Sequence, residues 1–150
     1  MKRVTYPLVA GLMLAASQGL AQQVLPCEWQ ARADAIVEPW EENTRTFAKG
    51  DVRLALLDTI EPAAGAYHIL VVSPPFGELG DRQCRTVSIS EGVGFSGVDF
   101  SGLQATYDPS VGLVFSVNVR RFDPDSSDFF PAVLVFSVNQ ATGHIGVMLK

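Results

Sequence analysis

The sequence predicts an α+β fold, in which an N-terminal helix packs on a mostly antiparallel meander sheet of about seven strands that is open to curling toward a barrel. Three observations predict it. Trp29, Ala33, Ile36 and Trp40 recur at spacings of four, three and four, the stripe of one helix face. Residues 52–59 and 67–73 are short apolar runs separated by the turn-forming Glu61-Pro62-Ala63-Ala64-Gly65. In Leu113-Val114-Phe115-Ser116-Val117-Asn118-Val119-Arg120 the odd positions are all apolar and the even ones turn polar after Val114, which is a half-buried strand.

Ahead of these elements lies a segment of a different kind. Lys2 and Arg3 precede the uncharged, largely apolar run 8–16, and Ser17-Gln18-Gly19-Leu20-Ala21 follows with small residues at 19 and 21. That is the pattern of a cleavable secretory signal, with cleavage expected after Ala21 and Gln22 as the new N-terminus. A membrane-spanning helix needs about 20 apolar residues, roughly twice this run. Lipidation at Cys27 is disfavoured because Val24-Leu25-Pro26 puts proline where such a signal wants a small flexible residue. The expected domains are therefore the signal, 1–21, and a single β-rich globular domain, 22–150. The expected address is periplasmic or secreted, with no stable membrane insertion after cleavage.

The chain of 150 residues carries 11 Lys+Arg against 16 Asp+Glu. Lys2 and Arg3 are the only charged residues before position 22, so the remainder has nine bases against sixteen acids, a formal −7. So acidic a domain has no general attraction for nucleic acid or anionic lipid, and Arg120-Arg121 is only a pair. Nucleic-acid binding is not expected. The two cysteines, Cys27 and Cys84, stand 57 positions apart, far from the Cys-x-x-Cys spacing of redox pairs. In an oxidising compartment they are expected to form one structural disulfide.

Along the domain, residues 28–37 are read as the helix, with Pro39 ending or kinking it near Val37 and the two tryptophans packed into the core. Residues 43–48 suit either helix or strand; Thr44, Thr46 and Phe47 favour the strand, turning through Lys49-Gly50 into 52–59. The runs 52–59 and 67–73 are apolar on both faces, so both strands should be central and covered on both sides. Pro74-Pro75 should stop the second, and a further strand should hold Cys84 over 83–90. The stretch 91–102, with four glycines, is too glycine-rich for a helix and should wrap the sheet with Phe95 and Phe100 tucked inward. Asp108-Pro109-Ser110-Val111-Gly112 and Asn139-Gln140-Ala141-Thr142-Gly143 are turns entering two strands, and the last strand should dock the C-terminal residues into the sheet.

Chemistry-bearing motifs are incomplete. Gly94-Phe95-Ser96-Gly97 misses the second glycine of a nucleophile elbow by one position. His68 and His144 each sit in a strand pattern, on the face opposite its best apolar positions, where packing or surface roles are the default; no carboxylate or free thiol at motif spacing completes a metal site. Asp123-Pro124-Asp125-Ser126-Ser127-Asp128 begins like a calcium loop, but Asp128 stands where the turn glycine belongs and Leu134 where the bidentate glutamate belongs. Glu38, Glu41 and Glu42 are sequence neighbours on a surface segment. No cofactor or metal is implied.

The function expected is a non-catalytic exported domain that binds a protein, an envelope component or a small apolar ligand. Its binding loops are expected at 74–82 and 123–130, which carry Phe76, Asp123, Asp125, Asp128, Phe129 and Phe130. The alternatives are a small hydrolase assembled from His68 or His144 with Asp58, Asp99 or Asp123, and an inhibitor that inserts the 123–130 loop into an enzyme's cleft.

Overall fold

The computed structural model describes residues 22–150, so the expected signal segment 1–21 lies outside the described residues. Among the described residues the chain is mostly β, with two antiparallel sheets and one short helix. In chain order the strands are β1 (Gln23–Pro26), β2 (Thr44–Phe47), β3 (Val52–Asp58), β4 (Tyr67–Phe76), β5 (Arg82–Ser88), β6 (Gly97–Val98), β7 (Gln104–Asp108), β8 (Gly112–Asp123), β9 (Asp128–Val138) and β10 (Ile145–Leu149); the helix α1 is Trp40–Asn43.

The first sheet has the order β1-β5-β4-β3-β2, so β2 to β5 form a meander and β1 returns to the far edge beside β5. The second has the order β10-β9-β8, with β6 and β7 both pairing β8 at different points along it. One apolar cluster joins them: Val52, Leu54, Leu56, Ile69, Val71 and Val87 from the first sheet with Phe115, Val117, Val119, Leu134, Phe136 and Val138 from the second. The two sheets therefore pack face to face. They do not close into the barrel the sequence left open, and the strands number ten among the described residues rather than about seven.

The core is built on aromatic contacts across the layers. Phe115 on β8 lies edge-on to Phe47 of the first sheet and stacks on Phe136 of its own, with centroid distances of 4.9 Å in both cases. Phe95 and Phe100 of the glycine-rich connection are buried as expected. Gly94 makes that tuck possible: a Cβ there would lie 2.1 Å from the Tyr67 carbonyl oxygen, so the chain can pair Tyr67 with Phe95 only where no side chain intervenes.

The N-terminal helix is a correction. Over 28–37 there is a single 3₁₀ turn, Ala33–Ala35, and no α-helix. The reason lies at the ends of the segment. Cys27 N–H donates to the Cys84 carbonyl and Val37 N–H to the Leu56 carbonyl, which spends the backbone on the sheet and draws the segment across its outer face as a strap. The one α-helical turn among the described residues, α1, begins after Pro39 rather than ending before it, in line with proline's tolerance at helix starts. Trp29 and Trp40 are 53 % and 48 % exposed, not core residues.

The strap explains why β3 and β4 are apolar on both faces. Val52, Leu54 and Leu56 face the second sheet, whereas Ala55 and Leu57 are buried on the other side, where Ala35 and Gln30 are also buried and Ile36 bridges Leu57. Cys27 and Cys84 form the expected disulfide, which is consistent with an extracellular or periplasmic protein.

Residues 44–47 are a strand, and Phe47 pairs with Val52 across a four-residue turn in which Ala48, Lys49 and Gly50 all have positive φ, not a two-residue loop. β4 runs through Pro74-Pro75 to Phe76 by way of a register shift after Ser73, so these prolines bend the strand instead of stopping it. The turns at 108–112 and 139–143 are as expected. The Ser110 hydroxyl and N–H both donate to the Asp108 carboxylate, which holds its pKa below the ordinary value, and Gly143 takes the left-handed exit at φ 76°. Lys150 exchanges both backbone hydrogen bonds with Val133, docking the last residues.

Candidate binding end of the sandwich

The expected loop 123–130 is largely a strand pair. β8 and β9 continue in register until Asp123 meets Asp128, and only Pro124–Ser127 turn. Phe129 and Phe130 are thus strand residues, opposite Phe122 and Arg121. The hairpin outruns its neighbours: β6 pairs no further than Arg120, and β10 no further than Leu134, with Lys150 pairing Val133. Residues 121–132 form an overhang at one end of the sandwich.

Alternation assigns its two faces. Phe115, Val117 and Val119 point into the core, so Arg121 and its partner Phe130 continue the core-side row. Arg120, Phe122 and Phe129 continue the outer row, and Phe122 also borders the clefts at the base of the hairpin. Each arginine lies against an aromatic ring, Arg121 5.6 Å from the Phe130 centroid and Arg120 5.2 Å from that of Phe129, and Phe122 lies 5.2 Å from Phe129. Cation–π contacts of this kind contribute about 0.5–1 kcal/mol at exposed sites. Phe129 and Phe130 remain 45 % and 39 % exposed.

Pro131 protects the bare edge. Val133 directs its N–H and carbonyl toward Lys150, so Pro131, two residues away, directs its backbone to the same side and has no N–H to offer. This blunts the overhang as a template for strand addition while leaving its side chains free.

Three clefts surround the overhang. On the core side, where β1, β5 and β10 run out, a cleft of about 610 Å³ is lined by Ile89, Arg121, Phe130, Leu149 and Lys150 among others. Ile89 and Phe122 also line a neighbouring apolar cleft of about 360 Å³, walled by Pro62, Gly65, Val93 and Pro124. On the outer face, Arg120, Asp99, Asn118 and Lys150 border a shallow depression of about 600 Å³.

Of the three aspartates around the tip, Asp123 serves the turn with its side chain. Asp123 accepts from the Asp125 N–H and the Ser126 hydroxyl, an Asx turn that rigidifies the hairpin. Among the described residues no three His, Cys, Asp or Glu side chains are grouped to hold a metal.

Phe76 is not brought to this end. The start of β4 lies beside Phe95, close to the loop that shares a cleft with Phe122 and Pro124. Its far end lies near the turn at Gly143, where Gln83 donates to the Gly143 carbonyl. Ten strand residues separate the ends by about 30 Å, so Phe76 and the Phe129–Phe130 pair belong to opposite ends.

The hydrolase candidates are likewise dispersed. Asp58 accepts from the Ile60 N–H, Asp99 from Ser101 and Gly102, and Asp123 within its own turn. The Ser96 hydroxyl donates to the Ala64 carbonyl. His144 is exposed in the turn before β10. Glu38, Glu41 and Glu42 are exposed around the start of α1.

His68 is fully buried under the strap, its Nδ1 2.7 Å from the Ser88 hydroxyl, while Gln30 donates to the neighbouring Thr86 hydroxyl. Gln30 Oε1 and His68 Nε2 are buried with no hydrogen-bond partner. Burial pushes the imidazole below its ordinary value of 6.5, because the charged form would have to leave water. The unfolded chain then takes up a proton that the folded chain refuses. The His68 contribution is complete above about pH 6.5 and is lost as pH falls from there toward the depressed folded value. Urea unfolding between pH 8 and pH 5 should show stability declining below about pH 6.5, with this site adding a slope that approaches about 1.4 kcal/mol per pH unit. His68→Leu should remove that component, and an unchanged acid limb in the variant would contradict it.

No helix among the described residues is long and apolar enough to cross a membrane. No protein-family model, curated protein or solved structure matches the chain.

Proposed function

We propose that the chain is a non-catalytic binding domain of the periplasm or cell exterior that engages a protein or envelope partner with the overhanging β8–β9 hairpin. One observation carries this reading: a strand-paired, turn-locked arm holds Phe129 and Phe130 half-exposed, with Arg120 and Arg121 stacked on them. Aromatic and arginine side chains on a rigid support are the residues that dominate binding hot spots. Their ordering costs little on association because the hairpin is already formed. The disulfide and the export-type leader support the address, and the acidic balance argues against nucleic acid as partner.

The inhibitor reading shares the hairpin but places the contact elsewhere. A loop entering an enzyme's cleft would use the tip, Pro124–Ser127, rather than the Phe129 face. Affinity capture from the native envelope extract separates the two, with the purified, oxidised protein immobilised. The proposal expects a partner recovered by the wild-type chain and reduced more than tenfold by Phe129→Ser, with Asp125→Ala, which leaves the turn bonds of Asp123 in place, behaving as wild type. Loss on Asp125→Ala alone favours the inhibitor. Equal recovery by wild type, Phe129→Ser and Asp125→Ala contradicts both.

A further inference from the structure

The core-side cleft of the overhang differs in chemistry from its surroundings. Its charged lining residues are Arg121 and Lys150, with no Asp or Glu among them, in a domain whose acids outnumber its bases sixteen to nine. Apart from Gln22, the remaining walls are apolar: Ile89, Phe122, Phe130, Pro131, Ala132 and Leu149. Arg121 makes no ion pair among the described residues, and its guanidinium lies over the Phe130 ring. The acids on the same hairpin face, Asp123 and Asp128, stand two residue pairs nearer the tip, and the Asp123 carboxylate is engaged by its own turn.

We infer that this cleft binds a single-chain amphiphilic carboxylate, its head group on Arg121 and its chain running along Ile89 and Phe122 into the adjoining apolar cleft. The inference deepens the binding reading and rests on the same end of the sandwich being its recognition end. Three features select the ligand class. A planar guanidinium backed by an aromatic ring offers paired N–H donors to a carboxylate. The apolar walls match an alkyl chain, whose burial contributes about 0.8 kcal/mol per methylene. The two clefts share Ile89 and Phe122, and at about 610 and 360 Å³ each falls within the range of small-molecule sites. A cationic amphiphile would meet Arg121 head-on, and a neutral one would leave the guanidinium unpaired.

The test uses the oxidised protein and sodium decanoate below its micelle threshold, followed by calorimetry and by amide chemical shifts. The expected result is saturable one-to-one binding, with shifts confined to the amides near 89, 121, 130 and 149. Arg121→Gln, which sits on a partly exposed position and should leave the melting temperature within a few degrees, is expected to weaken binding at least tenfold. Decanol and decyltrimethylammonium should bind at least tenfold more weakly than decanoate. Equal binding of decanoate and decanol, or no effect of Arg121→Gln, overturns the inference. So does binding to phosphatidylglycerol vesicles without binding to decanoate, which would point to a membrane surface instead of a free chain. If decanoate fails while Phe129→Ser still abolishes partner capture, the ligand class falls and the binding-domain reading stands; if both fail, both fall.

Discussion

Phe115→Ala should destabilise the domain by about 3–5 kcal/mol, the range for deleting a buried phenylalanine. Phe115 is completely buried on β8 and touches rings from both layers, Phe47 across the interface and Phe136 beside it. Its loss therefore opens a cavity where the two sheets meet, and rigid strands on either side limit how far the cavity can collapse. Urea unfolding should show a lower midpoint with an unchanged slope, since the surface exposed on unfolding is nearly the same. A loss below about 1 kcal/mol would mean that the sheets do not share this core. Phe129→Ala on the overhang provides the contrast, because its ring is already half-exposed.

Removing the disulfide should have an effect of similar size by a different route. Cys27 and Cys84 are separated by 57 positions, and closing a loop of that length restricts the unfolded chain by about 4 kcal/mol in the entropy model. The double variant Cys27→Ser/Cys84→Ser should melt more than 10 °C lower. The loss should also be uneven. The bridge pins one end of the strap that covers Leu57 and His68, so hydrogen exchange should accelerate first around Gln30 and Thr86, while β8 and β9 keep their protection. Uniform acceleration across both sheets would contradict the strap's role as a separately held cover.

The sandwich strands were legible where one physical signal dominated. The alternation of Leu113 to Val119 and the glycines closing the turns at 112 and 143 announced β8 and the hairpins. The two-faced apolarity of β3 and β4 announced their burial on both sides. The spacing of Trp29, Ala33, Ile36 and Trp40, which predicts a helix over 28–37, is a purely local signal. Two tertiary anchors, the Cys27–Cys84 bridge and the Val37–Leu56 hydrogen bond, override it. β7 is exposed along its whole length and carries no alternation to read.

The overhang was half visible. The sequence points to Phe129 and Phe130 as recognition residues, but the alternation that marks β8 ends at Arg120, where two consecutive arginines break the apolar pattern. The signal that could have extended it is pairwise: Arg121-Phe122 and Phe129-Phe130 can face each other only if the turn is confined to the four residues Pro124–Ser127, and cross-strand pairing of aromatics with cations is favourable. The clefts at its base were beyond any local pattern, because Ile89, Arg121 and Leu149 come from three separate strand ends.

The recognition role of the overhang is tested most directly by hydrogen–deuterium exchange of the protein alone and saturated with its captured partner. The account predicts new protection concentrated on residues 120–133 together with 89–94, and little change at the 139–143 turn or at Phe76. Protection confined to the Phe76 end, or to the strap between Cys27 and Val37, would contradict it.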